Sequence, residues 1–228
     1  TSGYTVSGNT ITYTGDMSLS ANLDVSKCNL TVNGKLWLTS SMTMKVKNLT
    51  VISSSSSAVY LWNEATLISS GNVKVDSTSN NAVDIYSGTV TVSGDITITT
   101  SYNALNISSG TVNANNINAT CNSESFYCIG ITGTATVTVT NTITGTGGSS
   151  GITVNNSGLL TAKKIIGTTS SSGASGIWLH GSAKVTATES ILGVAGNNGG
   201  VSCYEGTTIT SPMIYYYPKK NISCTVNG

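Results

Sequence analysis

The sequence predicts an all-β protein built as a parallel β-helix, a solenoid of about nine turns with three strands in each turn. Two observations carry this prediction. Short runs in which apolar and polar residues alternate, rich in Val, Ile and Thr, are typical of strands that bury one face. These runs also repeat as a unit. The segments that begin at Ala58, Ala82 and Ala104 each open with an alternating run and close with a small polar cluster, roughly 22–25 residues long.

The unit is clearest between Ala82 and Asn103, where the runs AVDI, TVTV and DITIT are separated by tight breaks at Ser87-Gly88 and Ser93-Gly94. Glycine and serine at such breaks are typical of turns. A sandwich or a barrel also uses many short strands, but it requires hairpin signals and no triple-strand period. The repeat therefore favours a solenoid.

Taken in order, residues 1–9 are predicted to be an N-terminal segment, a strand that caps the rod or is exchanged with a neighbour. Residues 10–212 form the solenoid, and residues 213–228 form a C-terminal capping tail. The turns are predicted to open near these residues: Thr10, Lys35, Ala58, Ala82, Ala104, Cys128, Gly151, Gly176 and Gly200.

Alternation also predicts which side chains point into the core. The inward residues are Val59 and Leu61, Val83 and Ile85, Leu105 and Ile107, Ile129 and Ile131, Ile152 and Val154, Ile177 and Leu179 in first strands, Val90 and Val92 in a second strand, and Ile96 and Ile98 in a third. A single turn buries too little apolar surface to offset the entropy of ordering it, so stacking is obligatory. The same alternation predicts that Asp84 faces solvent, where Asp84→Ser would cost little.

Composition restricts the compartment and the partners. Charged residues make up 8 % of the 228 residues and the net charge is +1, so the chain has little field to attract nucleic acid or an anionic membrane. No apolar run is long enough to span a bilayer. Five cysteines without C-x-x-C spacing favour disulfides over metal or redox sites. We therefore expect an extracellular protein, secreted or at the cell surface.

The pattern x-φ-x-φ-x-x-G, in which φ is apolar, occurs in AVDIYSG and ALNISSG. It resembles the right-handed parallel β-helix of the pectin-lyase-like superfamily. The charge-poor turns, rich in Thr, Val, Asn and Gly, are most similar to non-catalytic surface and adhesin-type members, such as autotransporter or filamentous-haemagglutinin-like passengers and surface proteins of thermophiles. This resemblance implies a right-handed coil and concerns the fold more than the function.

Enzymes of that superfamily use clustered carboxylates, some of which hold calcium. In the predicted register Asp84 has Asn106 and Tyr60 on the neighbouring turns, whereas glycoside hydrolysis requires two carboxyl groups about 5–9.5 Å apart. His180 is the sole histidine and has no evident acidic partner. We therefore expect no catalytic residues, no metal and no cofactor.

Aromatic residues lie at outward positions of the first strands. The set comprises Trp37, Tyr60, Trp62, Tyr86, Trp178, His180 and Tyr204. Large amphipathic rings dominate contact energies, so this stripe suits an interface between copies or contact with the rings of a glycan. A third interpretation is that other parts of the chain cover it.

Threonines form T-x-T pairs on the second and third strands: Thr89 and Thr91, Thr136 and Thr138, Thr186 and Thr188, Thr208 and Thr210. This array resembles the ice-binding face of β-solenoid antifreeze proteins. Threonine is also favoured in any strand that faces solvent, and Lys163, Lys164 and Lys184 interrupt the array.

Four of the five cysteines are predicted to pair. Cys121 and Cys128 bracket one loop, and a disulfide between them would staple it. Cys203 lies in the last turn, where Cys224 of the tail can reach it. Cys28 remains, either for pairing between molecules or as a buried thiol.

Sequons for N-glycosylation occur at predicted outward or turn positions: Asn29, Asn48, Asn106, Asn118, Asn155 and Asn221. A chain so rich in Asn, Ser and Thr contains several sequons by chance. We therefore expect only that glycosylation is sterically possible.

These observations favour a non-enzymatic, extracellular structural protein, a subunit of a surface filament, coat or adhesin. The terminal strand-like segments suit head-to-tail self-association, because an added strand pairs with a neighbour's free edge. The alternative is a β-helix protein that binds or cleaves polysaccharide, with glycan as a partner. An ice-binding protein is the third interpretation.

Overall fold

The computed structural model of the chain describes residues 3–54, 57–78, 81–122, 127–219 and 223–228. Within these ranges the protein consists of strands, turns and loops, without a helix. The strands are β1 Gly3–Ser7, β2 Thr10–Thr14, β3 Met17–Ser18, β4 Leu23–Asn33, β5 Leu36–Leu38, β6 Thr43–Ser53, β7 Val59–Leu61, β8 Ala65–Ser69, β9 Val73–Ser77, β10 Val83–Ile85, β11 Gly88–Val92, β12 Asp95–Thr100, β13 Leu105–Ile107, β14 Thr111–Ala114, β15 Asn116–Cys121, β16 Tyr127–Ile131, β17 Thr136–Val139, β18 Thr142–Gly147, β19 Ser150–Val154, β20 Leu159–Thr168, β21 Ser175–Leu179, β22 Lys184–Val194, β23 Val201–Cys203, β24 Thr208–Thr210, β25 Ile214–Tyr217 and β26 Thr225–Asn227.

The first strands of the turns form one parallel sheet of nine strands, called here the first sheet: β3, β5, β7, β10, β13, β16, β19, β21 and β23. The second and third strands form two further parallel ladders, which belong to one sheet of 17 strands. They join because β4, β6, β20 and β22 each run through both ladders, with a shift of register between Val25 and Asn29 and between Ala162 and Lys164. The predicted parallel solenoid is confirmed.

The core is a column of aliphatic side chains that runs along the axis of the stack. Every residue predicted to point inward is buried, none more than 7 % exposed. Each such side chain contributes roughly 1.5–3 kcal/mol by leaving water. Because the strands alternate, the neighbours of these residues point outward, and the first sheet therefore presents a regular outer face.

The two ends of the stack are built differently. Strand β1 lies antiparallel on β2, so that Gly3 stands opposite Thr14, and all five of its residues are exposed. At the other end β25 and β26 add to the third and second ladders as parallel strands. A disulfide between Cys203 and Cys224 fastens this segment to β23. Strands β25 and β26 thus extend the stack, and head-to-tail assembly stays a prediction.

A ladder of polar side chains follows the corner between the second and third strands: Asn29, Asn48, Asn72, Asp95, Asn115, Asn116 and Asn141. Asn48 is typical of it. Its Nδ2 donates to Asn29 Oδ1 at 2.8 Å, and its Oδ1 accepts from the backbone N–H of Asn72 at 2.7 Å. The ladder satisfies backbone groups at the corner, as buried polar groups require.

Candidate ligand-binding groove

The register of the first sheet arranges its outward residues in two columns that run along the axis. Column A comprises Trp37, Tyr60, Asp84, Asn106, Gly130, Thr153, Trp178 and Ser202. Column B follows the strand ends and comprises Trp62, Tyr86, Ser108, Thr132, Asn155, His180 and Tyr204. All seven of the predicted aromatic and histidine site residues lie on this face, called here the groove face.

Four of them form the N-terminal aromatic cluster, with Tyr60 at its centre. The centroid of the Tyr60 ring lies 6.3 Å from that of Trp37, 6.0 Å from that of Trp62 and 5.4 Å from that of Tyr86. Trp62 and Tyr86 are themselves 5.3 Å apart. The outer three rings remain 39–44 % exposed, so the cluster is an accessible apolar surface.

The other three form the C-terminal aromatic cluster. His180 stacks on Trp178 with centroids 5.7 Å apart and an angle of 19° between the planes. Tyr204 meets both rings edge-on, at 6.2 Å from Trp178 and 5.7 Å from His180. Tyr204 is 49 % exposed, whereas Trp178 is half-buried and also forms a wall of a cavity.

That cavity has a volume of about 430 Å³ and lies against the C-terminal cluster. Its aromatic walls are Tyr127, Trp178 and Tyr204. Polar side chains also line it: Thr153, Asn155, Ser175 and Ser202. A cleft of this size with a few placed polar groups is typical of a small-molecule site.

Two features of the polar lining suit the binding of a ligand. The hydroxyls of Ser175 and Ser202 share a hydrogen bond of 2.6 Å. The Oδ1 atom of Asn155 is buried and accepts no hydrogen bond from the described residues. Such unpaired acceptors are rare in proteins and costly, and because this atom is closed off from solvent, a ligand hydroxyl reaches it only if the Asn155 side chain turns toward the cavity.

Asp84 differs from its predicted state. It faces outward, but it is only 2 % exposed, because Ser57 and Asn81 from the loops before the first strands fold onto it. Its carboxylate accepts from the Ser57 hydroxyl, from Asn81 Nδ2 at 3.1 Å and from Asn106 Nδ2 at 3.1 Å. The prediction that Asp84 faces solvent is therefore wrong. These three partners are all neutral.

Tyr127 links this polar centre to the cavity. Its hydroxyl donates to Asn106 Oδ1 at 3.1 Å. Its ring lies over Gly130, where a Cβ atom would stand 2.2 Å from the ring, so only glycine fits there. The pKa of Tyr127 is raised, mainly by burial and to a lesser extent by the charge of Asp84. The pKa of Tyr60 is also raised, mainly by burial and to a lesser extent by Tyr86 and Asp84. Both phenols therefore stay protonated and uncharged at neutral pH.

Sequence reasoning did not single out Tyr127, Thr153, Ser175 or Ser202 as site residues. The one available signal was Gly130, which lies at an outward position where the neighbouring turns carry Asn106 and Thr153. A glycine between two polar outward residues indicates that another part of the chain, here the ring of Tyr127, packs over that position.

The cysteines follow the prediction in part. Cys203 and Cys224 form the predicted disulfide, with Cα atoms 5.5 Å apart. Cys121 and Cys128 are both buried thiols, hydrogen bonded to each other, so the predicted disulfide between them is not formed in this structure. The hydrogen bond to Cys121, together with burial, raises the pKa of Cys128. Cys28 is a half-buried thiol.

The predicted glycosylation sites differ in access. Half-buried side chains occur at Asn29, Asn48, Asn106 and Asn155. Among these, the amide nitrogens of Asn48 and Asn106 already donate hydrogen bonds. Asn118 is exposed in the third ladder and offers the best access. Asn221 lies outside the described residues, and glycosylation itself stays a prediction.

The second ladder carries the threonine columns on its outer face. One column is unbroken over five turns: Thr43, Thr66, Thr89, Thr111 and Thr136. It continues into Leu159 and Lys184, which end the threonine run. A second column beside it contains Thr91, Asn113, Thr138, Thr161, Thr186 and Thr210.

No group of three or more His, Cys, Asp or Glu residues in the described ranges is placed to hold a metal ion. In the same ranges the structure contains no helix that could cross a membrane. Comparison with known protein families, with proteins of assigned function and with solved structures finds no match to this chain.

Proposed function

We propose that the chain is a non-enzymatic, extracellular β-solenoid of adhesin type that binds polysaccharide in the cleft beside Trp178 and Tyr204. The observation that carries the proposal is the pairing, in one cavity of about 430 Å³, of ring faces with buried polar groups. A sugar ring has the same two aspects, an apolar face of C–H groups and an edge of hydroxyls. Aromatic side chains match the first and the polar lining matches the second.

The role of each residue follows from its contacts. Trp178 and Tyr204 supply the apolar walls on which a sugar ring stacks. The Asn155 side chain lines the cleft and can offer its amide to a sugar hydroxyl once it turns outward, and the hydroxyls of Ser175 and Ser202 can exchange their mutual hydrogen bond for one to a second sugar hydroxyl. The Tyr127 hydroxyl already donates to Asn106, so Tyr127 contributes only its ring, as a wall of the cleft.

Binding without cleavage is supported by the state of Asp84. Asp84 is the acid in column A, and its carboxylate accepts hydrogen bonds from two amides and a hydroxyl. Hydrolysis of a glycosidic bond requires a second carboxyl group within about 5–9.5 Å. The geometry therefore favours holding a glycan over cutting it.

A glycan array probed with the full chain tests the proposal, followed by calorimetry on the glycan that binds. Trp178→Ala should weaken binding by about tenfold or more, since a stacking ring contributes about 0.5–1.5 kcal/mol beyond its buried area. Asn155→Ala should also weaken it, and Thr138→Ala on the second ladder should leave it unchanged. A folded chain that binds no glycan, or binding indifferent to both cleft variants, would refute the proposal.

A structural role in a filament or surface coat is part of the same proposal and is supported by the rod-like stack alone. Sedimentation velocity over a wide range of protein concentration tests it. Species that grow with concentration would support assembly of copies. If the protein is monomeric at every concentration, the filament role is refuted and the adhesin role is unaffected.

Ice binding is a second candidate, favoured by the unbroken column from Thr43 to Thr136. Its neighbouring column places a second threonine beside Thr89 and beside Thr136, whereas Lys45, Ile68 and Asn113 stand beside the other three threonines and limit the two-dimensional array. Inhibition of ice recrystallisation by the full chain, lost on Thr89→Tyr, would establish it. If ice recrystallises in the presence of the full chain as fast as in buffer alone, ice binding is excluded.

A further inference from the structure

We infer that the ligand is a single extended chain of neutral polysaccharide that runs along the groove face and contacts both aromatic clusters. This inference rests on the proposed function and deepens it, because it names the class of ligand and gives the N-terminal cluster a role. It depends on three features of the groove face: the layout of column B, the absence of bulk between the clusters, and the charges beside the rings.

Column B places rings at both of its ends. Trp62 and Tyr86 stand at one end, and His180 and Tyr204 at the other. Tyr86 and His180 are separated by four strand spacings, about 19 Å at the usual distance between strands. One sugar ring covers one aromatic side chain, so only a chain of several sugars can contact both clusters at once.

The path between the clusters is low and polar. The three intervening residues of column B are Ser108, Thr132 and Asn155, whose side chains are small and half-buried. In column A the ring of Tyr127 covers Gly130, so the open part of the path follows column B. A polymer that lies along column B therefore meets hydroxyls and an amide, which pair with sugar hydroxyls. Between Tyr86 and His180 the described residues of column B carry no large side chain.

The charges beside the rings argue against an acidic polymer. Glu64 follows the N-terminal cluster and Glu205 follows the C-terminal cluster, and both are exposed. Lys35 lies 5.0 Å from the centroid of the Trp37 ring, but its Nζ is also 3.7 Å from a carboxylate oxygen of Asp16. The fixed charge that a ligand meets at each cluster is thus negative, and a polyanion would be repelled.

Binding at two clusters predicts avidity. Once one end of a polymer is held, the second contact is intramolecular, and linked sites can exceed either alone by about 10²–10⁴ in affinity. A short oligosaccharide occupies one cluster only and gains none of this. The N-terminal cluster should therefore matter for long ligands and be irrelevant for short ones.

Calorimetry with the full chain tests the inference on galactomannan and xyloglucan as neutral polymers, on trisaccharide fragments of each, and on polygalacturonate as the acidic comparator. The double variant Trp62→Ala, Tyr86→Ala should weaken polymer binding at least about tenfold and leave fragment binding unchanged. The matched variant Trp62→Phe, Tyr86→Phe keeps two rings and should retain most of the polymer affinity. Thermal melts of both variants check that the solenoid stays folded.

Each other outcome is decisive. Equal affinities for polymer and fragment, or polymer binding that depends on Trp178 and ignores the double alanine variant, would overturn the two-cluster inference and leave the proposed function in place. Polygalacturonate that binds as tightly as the neutral polymers would overturn the assignment of a neutral ligand. Failure of every polymer and fragment to bind, with a blank glycan array, would refute the function and the inference together.

Discussion

The outer faces of the first sheet and of the second ladder follow the same alternation but differ in exposure. On the second ladder the outward residues lie at the surface, where Thr91 is half-buried and Thr138 is exposed. On the first sheet the outward Asp84 is as buried as the core, since Ser57 and Asn81 bond to it from neighbouring loops. Outward on a strand and exposed to water are thus separate properties, and loops decide whether they coincide.

Two carboxylates on adjacent turns, Asp76 and Asp84, differ in the same way, since one is near solvent and the other is buried. Asp76, on the third ladder, pairs with Lys74 at 2.9 Å, where the side chain of Lys74 is more than half exposed. Exposed pairs of this kind contribute about 0–1 kcal/mol. Asp84 instead organises amides and a hydroxyl beneath the groove face. The substitutions below test this contrast, from the largest expected effect to the smallest.

The largest effect is expected from Ile85→Asp. Ile85 is 1 % exposed in the core, so the new carboxylate would be buried without a partner. We expect a loss of more than about 4 kcal/mol in the free energy of unfolding, measured by urea denaturation. The control Thr91→Asp, outward on the second ladder, should change it by about 0.5 kcal/mol or less. Equal losses would show that the strand register is wrong.

A moderate effect is expected from Asp84→Ser. The change removes the carboxylate that accepts from the amides of Asn81 and Asn106, and hydrogen bonds to a charged group contribute about 1.5–3 kcal/mol. Asp76→Ser, on the exposed third ladder, is the matched control and should cost about 1 kcal/mol at most. If both variants shifted the urea midpoint equally, the covered carboxylate of the first sheet would have no special role.

The sequence predicts those features of the structure that depend on local contacts along the chain. Period-two alternation is a property of the strand backbone, so it predicted the buried positions of Ile85, Ile107 and Leu179 correctly. The cover on Asp84 depends on loops whose paths are set by contacts to other turns, and alternation carries no information about them. The cavity beside Trp178 was missed for the same reason, although Trp178 itself was predicted to face outward.

The polar ladder at the corner was missed for a different reason. Its members hydrogen bond to residues about one turn away in sequence, and the number of residues per turn varies. Sequence analysis therefore treated Asn29 and Asn48 only as glycosylation acceptors. The hydrogen bonds show that Asn48 has a structural role, whatever its modification.

A smaller effect is expected at that corner from Asn48→Ala. This change removes the bond to Asn29 and leaves the backbone N–H of Asn72 without its acceptor, so we expect a loss of about 1 kcal/mol. Asn118→Ala, on the exposed third ladder, should be within about 0.5 kcal/mol of the parent protein. Urea midpoints measure both. A corner variant as stable as the parent would indicate that the ladder is replaceable by water.

The smallest effect is expected from acid. Hydrogen bonding from Ser26 lowers the pKa of Asp24, and hydrogen bonding from Lys163 lowers the pKa of Glu189. A lowered pKa in the folded state adds stability that is present above the ordinary pKa of the group and is lost as the pH falls through the folded value. Both carboxylates are exposed to solvent, which screens these interactions, so the loss should be slight.

The melting temperature should therefore change little between pH 7 and pH 3, and the groove face should respond to base instead. The raised pKa values of Tyr60 and Tyr127 add stability that is complete below 10.0, the ordinary tyrosine pKa, and is lost as the pH rises through the folded values. Thermal melts followed by circular dichroism from pH 3 to pH 11 measure both limbs. Tyr127→Phe should flatten the alkaline limb and leave the acid limb as it was. Cooperative unfolding near pH 4 would contradict this account.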